Sequence, residues 1–477
     1  MNQVNDRILK SDLIDWRSLK FLQSDKFKKL PRQAREALRE SIKNNDFVES
    51  FKVWNDGDTT WCLDGKHRVE VMKELESEGV QIPEKLRADF IDCPDRNSAA
   101  KLVLIYSSKY AKITEMGMAE FIRTYDLPIA EFRDQILIPD FDFRKFEKKI
   151  SLEQIQEDTL DASQVPVRTI STPGDIYQLN EHRVMCGDAT NGNDIKALAG
   201  PHKATLVFTD PPYGVDYSGA DQQKIKNDNL GSSALTEFLY CAFVNLQTAT
   251  NRNPAIYCFY ASRNHIEFET AMNRAGIRVK QQIIWSKQFA LSRSDYHWSH
   301  EPCLYAIFEG NNCAWHTDRT EKTVNELDSK ELEKITKEEA VEILRRLKDG
   351  ATVWAIKKDS ILKYMHPTQK PIALSARAIL NNTKYGEPVL DPFAGSGSTL
   401  MGAEQTGRIG LAMELDPKFC DIIIKRRILF KRKEGETIKV SKNGRELSQE
   451  QIDEFTAIAT RKMSDSEKEQ LTQIKTK

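Results

Sequence analysis

Asp210-Pro211-Pro212-Tyr213 follows directly on the apolar run TLVFT. In open α/β sheets the carboxyl end of a strand is where ligands sit, so this carboxylate stands at a functional position. Prolines at 211 and 212 fix the backbone and remove two N–H donors, which leaves the carbonyls of Asp210 and Pro211 as acceptors beside the carboxylate. Such a cluster is a receptor for an amino group. An exocyclic NH2 that donates both hydrogens, to the Asp210 carboxylate and the Pro211 carbonyl, keeps its lone pair out of ring conjugation and aimed at an electrophile. Tyr213 adds a face on which a planar base can stack, worth about 1–3 kcal/mol. The competing reading is a proline-rich turn whose aspartate caps a helix.

A second constellation runs Asp391-Pro392-Phe393-Ala394-Gly395-Ser396-Gly397-Ser398-Thr399, after an apolar VL and before a helical pattern. A bare glycine loop is weak evidence. Here, though, the next strand-like run, RIGLAMEL, reaches Glu414 at its end, 17 residues beyond Gly397. A carboxylate at the end of the following strand suits a ribose diol, and the glycines let backbone approach the ligand. The absence of a third phosphate-contacting glycine and of a GKS/T sequence points to a nucleoside without a pyrophosphate. S-adenosylmethionine fits that description; NAD and ATP fit it worse.

The elements that must position these groups are legible as alternation. From Gly174 onward short apolar runs (TLVFT, AIYCFYA, QQIIW, CLYAIF) alternate with helical patterns (TEFLYCAFVNLQTAT, HIEFETAMNRAG), which predicts a doubly wound, mostly parallel sheet. The rhythm breaks over 309–365, a charged stretch with two helical patterns, LDSKELEKIT and KEEAVEILRRLKDG, and resumes at PVLDPFAGSGST. Residues 1–110 read as a small α/β unit containing the loop-helix stretch DGKHRVEVMKEL. Residues 111–172 read as a helical connector and linker, 173–435 as the main domain, and 436–477 as a charged tail, helical or flexible.

At 477 residues the chain exceeds the size at which single cores stop growing, so several domains are expected. Lys and Arg total 70 against 71 Asp and Glu, so any contact with a polyanion must be local. The densest basic run is KRRILFKRK, 425–433, a pattern that is usually a solvated face. Eight scattered cysteines without a CxxC pair or zinc spacing fit a reduced cytoplasm and no metal, and neither a signal peptide nor a membrane span is expected.

Both motifs in this order resemble the beta class of DNA amino-methyltransferases, in which DPPY precedes the cofactor loop. The resemblance covers roughly 174–430 and includes Gly187-Asp188, His300-Glu301-Pro302 and His366-Pro367-Thr368-Gln369-Lys370-Pro371. It implies a Rossmann-like α/β methyltransferase sheet carrying a helical target-recognition insertion at 309–365. It also implies catalysis by Asp210, Pro211, Pro212 and Tyr213. S-adenosylmethionine would be held by Asp188, Asp391, Phe393, Gly395, Gly397, Ser398 and Glu414, with Thr368 and Lys370 near its methionine carboxylate. The implied partner is double-stranded DNA with one base flipped out. Adenine N6 is the expected target, because N4-cytosine members of the class more often have serine in place of Asp210. A cytosine-C5 enzyme would need a cysteine nucleophile after a proline, which is not expected here.

The first domain resembles the ParB/sulfiredoxin-like domain through Asp64-Gly65-Lys66-His67-Arg68 and the helix that follows. That resemblance implies nucleotide phosphate binding at Gly65, His67 and Arg68, or a catalytically silent module for DNA docking or homodimerisation. The alternative from another class is a ParB-like DNA-binding protein whose methyltransferase half is a scaffold only.

Overall fold

The computed structural model describes residues 5–24, 27–30, 32–106, 112–125, 143–158, 166, 168–216, 227–287, 297–316, 352–356 and 369–457. The chain forms two compact units, Met1–Ile150 and Ser151–Lys477.

In the first unit, β1 (Ile8–Asp15), β2 (Lys20–Phe21), β4 (Phe51–Asn55), β5 (Thr60–Asp64) and β6 (Lys85–Ile91) form a mixed sheet in the order β1-β6-β4-β5-β2. A separate two-stranded ribbon joins β3 (Lys28–Lys29) to β7 (Lys112–Ile113). Phe51, Val53, Cys62, Val69 and Met72 are buried together, so the alternating FKVW and TWCL runs and the following helix, Lys66–Ser77, share one core. Gly65 opens that helix at φ +125°, and a Cβ there would stand 2.4 Å from Phe51 Cδ1, so only glycine fits. The basic pair after it is engaged within the unit: Arg68 binds the Asp64 carboxylate at 2.8 Å and the Glu49 carbonyl at 2.6 Å, and His67 Nδ1 lies 3.0 Å from Glu70. The first unit extends beyond the boundary at 110 that the sequence suggests, because Phe121 and Tyr125, and further on Phe146 and Ile150, complete its core.

The second unit is built on an eleven-stranded sheet. Its strands are β8 (Ile176–Leu179), β9 (His182–Cys186), β10 (Ala204–Thr209), β11 (Thr250–Phe259), β12 (Ile277–Ser286), β13 (His300–Phe308), β14 (Val353–Ala355), β15 (Pro388–Asp391), β16 (Ile409–Glu414), β17 (Val440–Lys442) and β18 (Arg445–Glu446). Their order is β14-β12-β13-β11-β10-β15-β16-β9-β8-β17-β18. The central five, β11-β10-β15-β16-β9, run parallel, whereas β13 and β8 pair antiparallel at either side of them. Every residue of β10 is buried, as a parallel strand covered on both faces requires. The helix Ser232–Ala249 covers one face with Leu235, Leu239, Ala242, Phe243 and Leu246 at helical spacing. Ile372–Asn382 and Ser398–Gln405 cover the opposite face of the same strands, packing Leu374, Ala378, Ile379 and Ala403 against Leu206, Phe208, Tyr257 and Val389.

Two expectations change. The segment 436–457 is not a simple tail: β17 pairs with β8, and the helix Gln449–Ala457 buries Ile452 and Phe455 against Tyr177. The stretch 309–365 is not wholly an insertion either, since Val353–Ala355 joins the sheet edge beside β12, with Trp354 buried. The two helical patterns expected between them lie outside the described residues.

Candidate active site

Four acidic residues stand at the carboxyl ends of neighbouring parallel strands. Asp210 follows β10, Asp391 ends β15, Glu414 ends β16, and Asp188 follows Gly187 just past β9. Val207 pairs with Leu390, so the chains leave the sheet side by side at Asp210 and Asp391. β10 leads on to β11 on one side while β15 leads to β16 on the other. The gap between β10 and β15 is therefore the point where the strand order reverses, the place where open α/β sheets bind ligands.

Asp210 is held from two sides. Tyr213 donates its hydroxyl to Oδ1 at 2.5 Å, and Lys370 places Nζ 2.6 Å from Oδ2. The same ammonium reaches Glu301 at 3.0 Å and the Tyr213 hydroxyl at 3.2 Å, and Glu301 is also paired with Lys287. Burial pushes the Asp210 carboxyl above its ordinary range against the pull of Lys370, and it pushes the Tyr213 phenol well up. The Lys370 ammonium keeps its proton: burial works against it, but Asp210 and Glu301 together raise it. The loop itself is set by two residues the motif does not contain. Asp228 accepts from the backbone N–H of Tyr213 at 2.8 Å and of Gly214 at 2.9 Å, and Asn264 donates to the Tyr213 carbonyl at 2.5 Å.

The glycine loop presents a cradle beside this receptor. Gly397 sits at φ +85°, and a Cβ there would come within 2.9 Å of Ile423, so the loop can carry no side chain at that point. Glu414 accepts from the Gly395 N–H at 2.9 Å and the Asp416 N–H at 2.8 Å, which fixes its carboxylate. Asp391 accepts from Thr399 at 2.6 Å and from the Phe393 N–H at 3.1 Å. Burial raises both carboxyls, each to about 7. Asp188 accepts from the N–H and hydroxyl of Thr190 at 2.9 and 2.8 Å, and Gly187 donates to the Glu414 carbonyl at 3.0 Å, so the β9 loop joins the same group. Ser398 turns its hydroxyl to the Lys370 carbonyl at 2.7 Å.

The structure thus brings together Asp188, Asp210, Pro211, Pro212, Tyr213, Lys370, Asp391, Phe393, Gly395, Gly397, Ser398 and Glu414 along one sheet edge. Thr368 lies outside the described residues, as do His366 and Pro367. Lys370, grouped by resemblance with Thr368, has its ammonium on Asp210 and Glu301.

One expectation about cysteine needs correcting. Cys303 does follow a proline, Pro302. It lies inside β13 with no exposure, and burial pushes its thiol well above the ordinary value, so it has neither the thiolate nor the access of a C5 nucleophile. The basic run 425–433 is not a solvated face. It lies in the helix Pro417–Lys433, where Arg426 is fully buried and binds Asp158 and the Ser396 carbonyl, Arg427 pairs with Glu404, and Lys431 with Glu404, Glu434 and Glu436. No described helix is long and apolar enough to cross a membrane, and no cluster of metal ligands occurs among the described residues.

Residues 204–425 match a DNA methylase family, N6/N4 type. The chain is 24% identical over 241 residues to the type II methyltransferase M2.DpnII of Streptococcus pneumoniae, spanning 47% of this chain and 83% of that protein. It is likewise 24% identical over 229 residues to the DNA adenine methyltransferase YhdJ of Escherichia coli K12, spanning 46% and 75%. Among solved structures, the M1.HpyAVI complex with SAM aligns over 51% of this chain and 98% of its own, at 22% identity and a TM-score of 0.35. The family match and the strand order that sets DPPY beside the glycine loop agree on a DNA amino-methyltransferase domain over residues 204–425.

Proposed function

We propose that the chain transfers a methyl group from S-adenosylmethionine to the N6 amino group of adenine in duplex DNA. The observation that carries this reading is the placement of Asp210 and Asp391 at the tips of adjacent parallel strands, which sets the amine receptor beside the glycine loop where the strand order reverses. The residues present fit the cofactor. Gly397 lets the loop turn tightly against Ile423, and the Glu414 carboxylate, oriented by two backbone N–H groups at the end of the next strand, is a ready acceptor for two ribose hydroxyls. When bound, S-adenosylmethionine supplies an electrophilic methyl on a sulfonium, and the C–S electron pair leaves with sulfur as the N–C bond forms.

The chain's own residues handle the base. Asp210 and the Pro211 carbonyl accept the two amino hydrogens and expose the nitrogen lone pair, and Tyr213 offers a stacking face that offsets part of the few kcal/mol that flipping costs. Holding nitrogen and methyl in near-attack contact supplies about 7–11 kcal/mol of the barrier. After transfer the nitrogen sheds one proton, and the Asp210 carboxylate, already raised by burial, is placed to take it. In the first unit, the internal pairing of Arg68 with Asp64 and of His67 with Glu70 speaks against a phosphate grip there and for a catalytically silent module for docking or dimerisation.

Asp210→Ala is expected to bind S-adenosylmethionine as the wild type does and to lose methyl transfer. A variant that retained a tenth of the wild-type rate would remove Asp210 from the mechanism. Digestion of the product DNA to nucleosides is expected to yield N6-methyladenine; N4-methylcytosine would move the target to the other amino base.

A further inference from the structure

Lys370 and Glu301 are tied to Asp210 by a closed set of buried charges. The Lys370 side chain is 5% exposed and Lys287 3%, against 17% for Asp210 and 20% for Glu301. Two ammonium groups face two carboxylates, so the set is neutral. Lys370 donates to Asp210 Oδ2 at 2.6 Å and to the Tyr213 hydroxyl at 3.2 Å, and its Nζ lies 3.0 Å from Glu301 Oε2 as an ion pair. Rings line the remaining space, with the Phe259 centroid 4.9 Å and the Tyr213 centroid 5.6 Å from Nζ. With Tyr213 on Oδ1 and Lys370 on Oδ2, both oxygens of the proposed amine receptor already carry a donor.

An amine entering this receptor meets a rival for Oδ2. It also meets a fixed cation beside a nitrogen that becomes positive as the N–C bond forms, the wrong sign for stabilising that transition state. The ammonium must give way, and among the described residues Glu301 is the other carboxylate it is paired with. We propose that Glu301 is a positioning residue for methyl transfer: it draws Lys370 off Asp210 when the base amine binds, with Lys287 holding Glu301 in place. The proposal rests on the reading of Asp210 as the amine receptor.

Glu301 also acts on the proton affinity of Asp210. The groups facing Asp210 are Lys370 and the Tyr213 hydroxyl, which lower its carboxyl, and Glu301, which raises it in addition to burial. Asp391 stands on the neighbouring strand, Lys287 acts through Glu301, and the thiols of Cys258 and Cys303 stay protonated. Removing the Glu301 charge removes a raising influence, so the acid limb of kcat/KM against pH moves to lower pH.

The test uses the full-length chain with S-adenosylmethionine and duplex DNA. Glu301→Gln is expected to bind S-adenosylmethionine with unchanged affinity, to lose about tenfold or more in kcat, and to shift the acid limb down by about half a pH unit or more. Glu301→Asp is expected to restore both. If Glu301→Gln fails to fold, the charge-balanced double variant Lys287→Met, Glu301→Gln is read instead, with the same shift expected. A folded variant whose limb and kcat stay at the wild-type values overturns the role of Glu301 while leaving the methyltransferase reading intact. A wild-type chain that transfers no methyl group to any DNA overturns that reading itself.

Discussion

The hydroxyl of Ser398 donates to the backbone carbonyl of Lys370 at 2.7 Å, while Lys370 Nζ lies 2.6 Å from Asp210 Oδ2. The first turn of the glycine-loop helix and the amine receptor are therefore joined through one lysine, whose main chain answers to one motif and whose side chain answers to the other. Ser398→Ala leaves a buried carbonyl without its donor, at a cost of about 1–3 kcal/mol. The expected result is a lower melting temperature and a slower single-turnover methylation rate. A variant that melts and turns over as the wild type does would separate the two motifs.

Asp228 is expected to matter as much as a residue inside DPPY. Its carboxylate gathers the N–H groups of Tyr213 and Gly214, so its loss lets the loop drift. A displacement of about 1 Å in a reacting group can cost about 100-fold in rate. Asp228→Ala should fall by about that factor in kcat with S-adenosylmethionine affinity retained, whereas Asp228→Asn, which keeps an acceptor oxygen, should fall far less. Equal losses in the two variants, measured by methyl incorporation, would show that charge and not the acceptor matters.

The pH dependence of cofactor binding follows from Asp391 and Glu414. Burial raises both carboxyls to about 7, so near neutrality the empty site holds protons there. A sulfonium ligand whose ribose needs an anionic acceptor binds the ionised form and releases protons. Affinity should therefore weaken as pH falls below about 7, by about tenfold per pH unit for each proton released. For the empty protein the sign is opposite: ionising a buried carboxyl opposes folding, so stability present at lower pH is lost as pH rises through about 7. Calorimetric titrations and melting curves between pH 5.5 and 8.5, a range of about three units chosen to bracket these values, check both signs. A flat affinity profile would mean that neither group ionises on binding.

The DPPY motif and the glycine loop were legible because each is a run of adjacent residues at a strand end, where composition alone reports the backbone geometry. Asp228 and Asn264 were not, since they reach the DPPY loop from 15 and 51 residues away and nothing in their own neighbourhoods marks them. The strand alternation from Gly174 onward carried the sheet, including the fully buried β10. It did not carry the outer strands β14, β17 and β18, which are two or three residues long and take their structure from the edge they pair with. Lys370 shows the same limit within a motif: its sequence neighbours indicate a cofactor loop, and only the fold brings its ammonium onto a carboxylate 160 positions away.

The basic run 425–433 supplies cations that are paired within the protein. Arg426 has no exposed side chain; its Nε lies 2.6 Å from Asp158 and its NH1 donates to the Ser396 carbonyl in the glycine loop at 2.5 Å. Replacing it with methionine strands a carboxylate and a loop carbonyl together, and breaking such a buried pair costs about 3–5 kcal/mol. Arg426→Met is therefore expected to lower the melting temperature and to weaken S-adenosylmethionine binding. Arg432 and Lys433 are also engaged, with Asp453 and Gln156 respectively, but at the surface. Each phosphate contact contributes about 0.9 to the slope of log K against log salt for duplex DNA. The double variant Arg432→Ala, Lys433→Ala should leave that slope unchanged in a binding titration at several salt concentrations. A slope reduced by one or more would place this helix against the DNA backbone, and the internal pairing would then be a feature of the free protein alone.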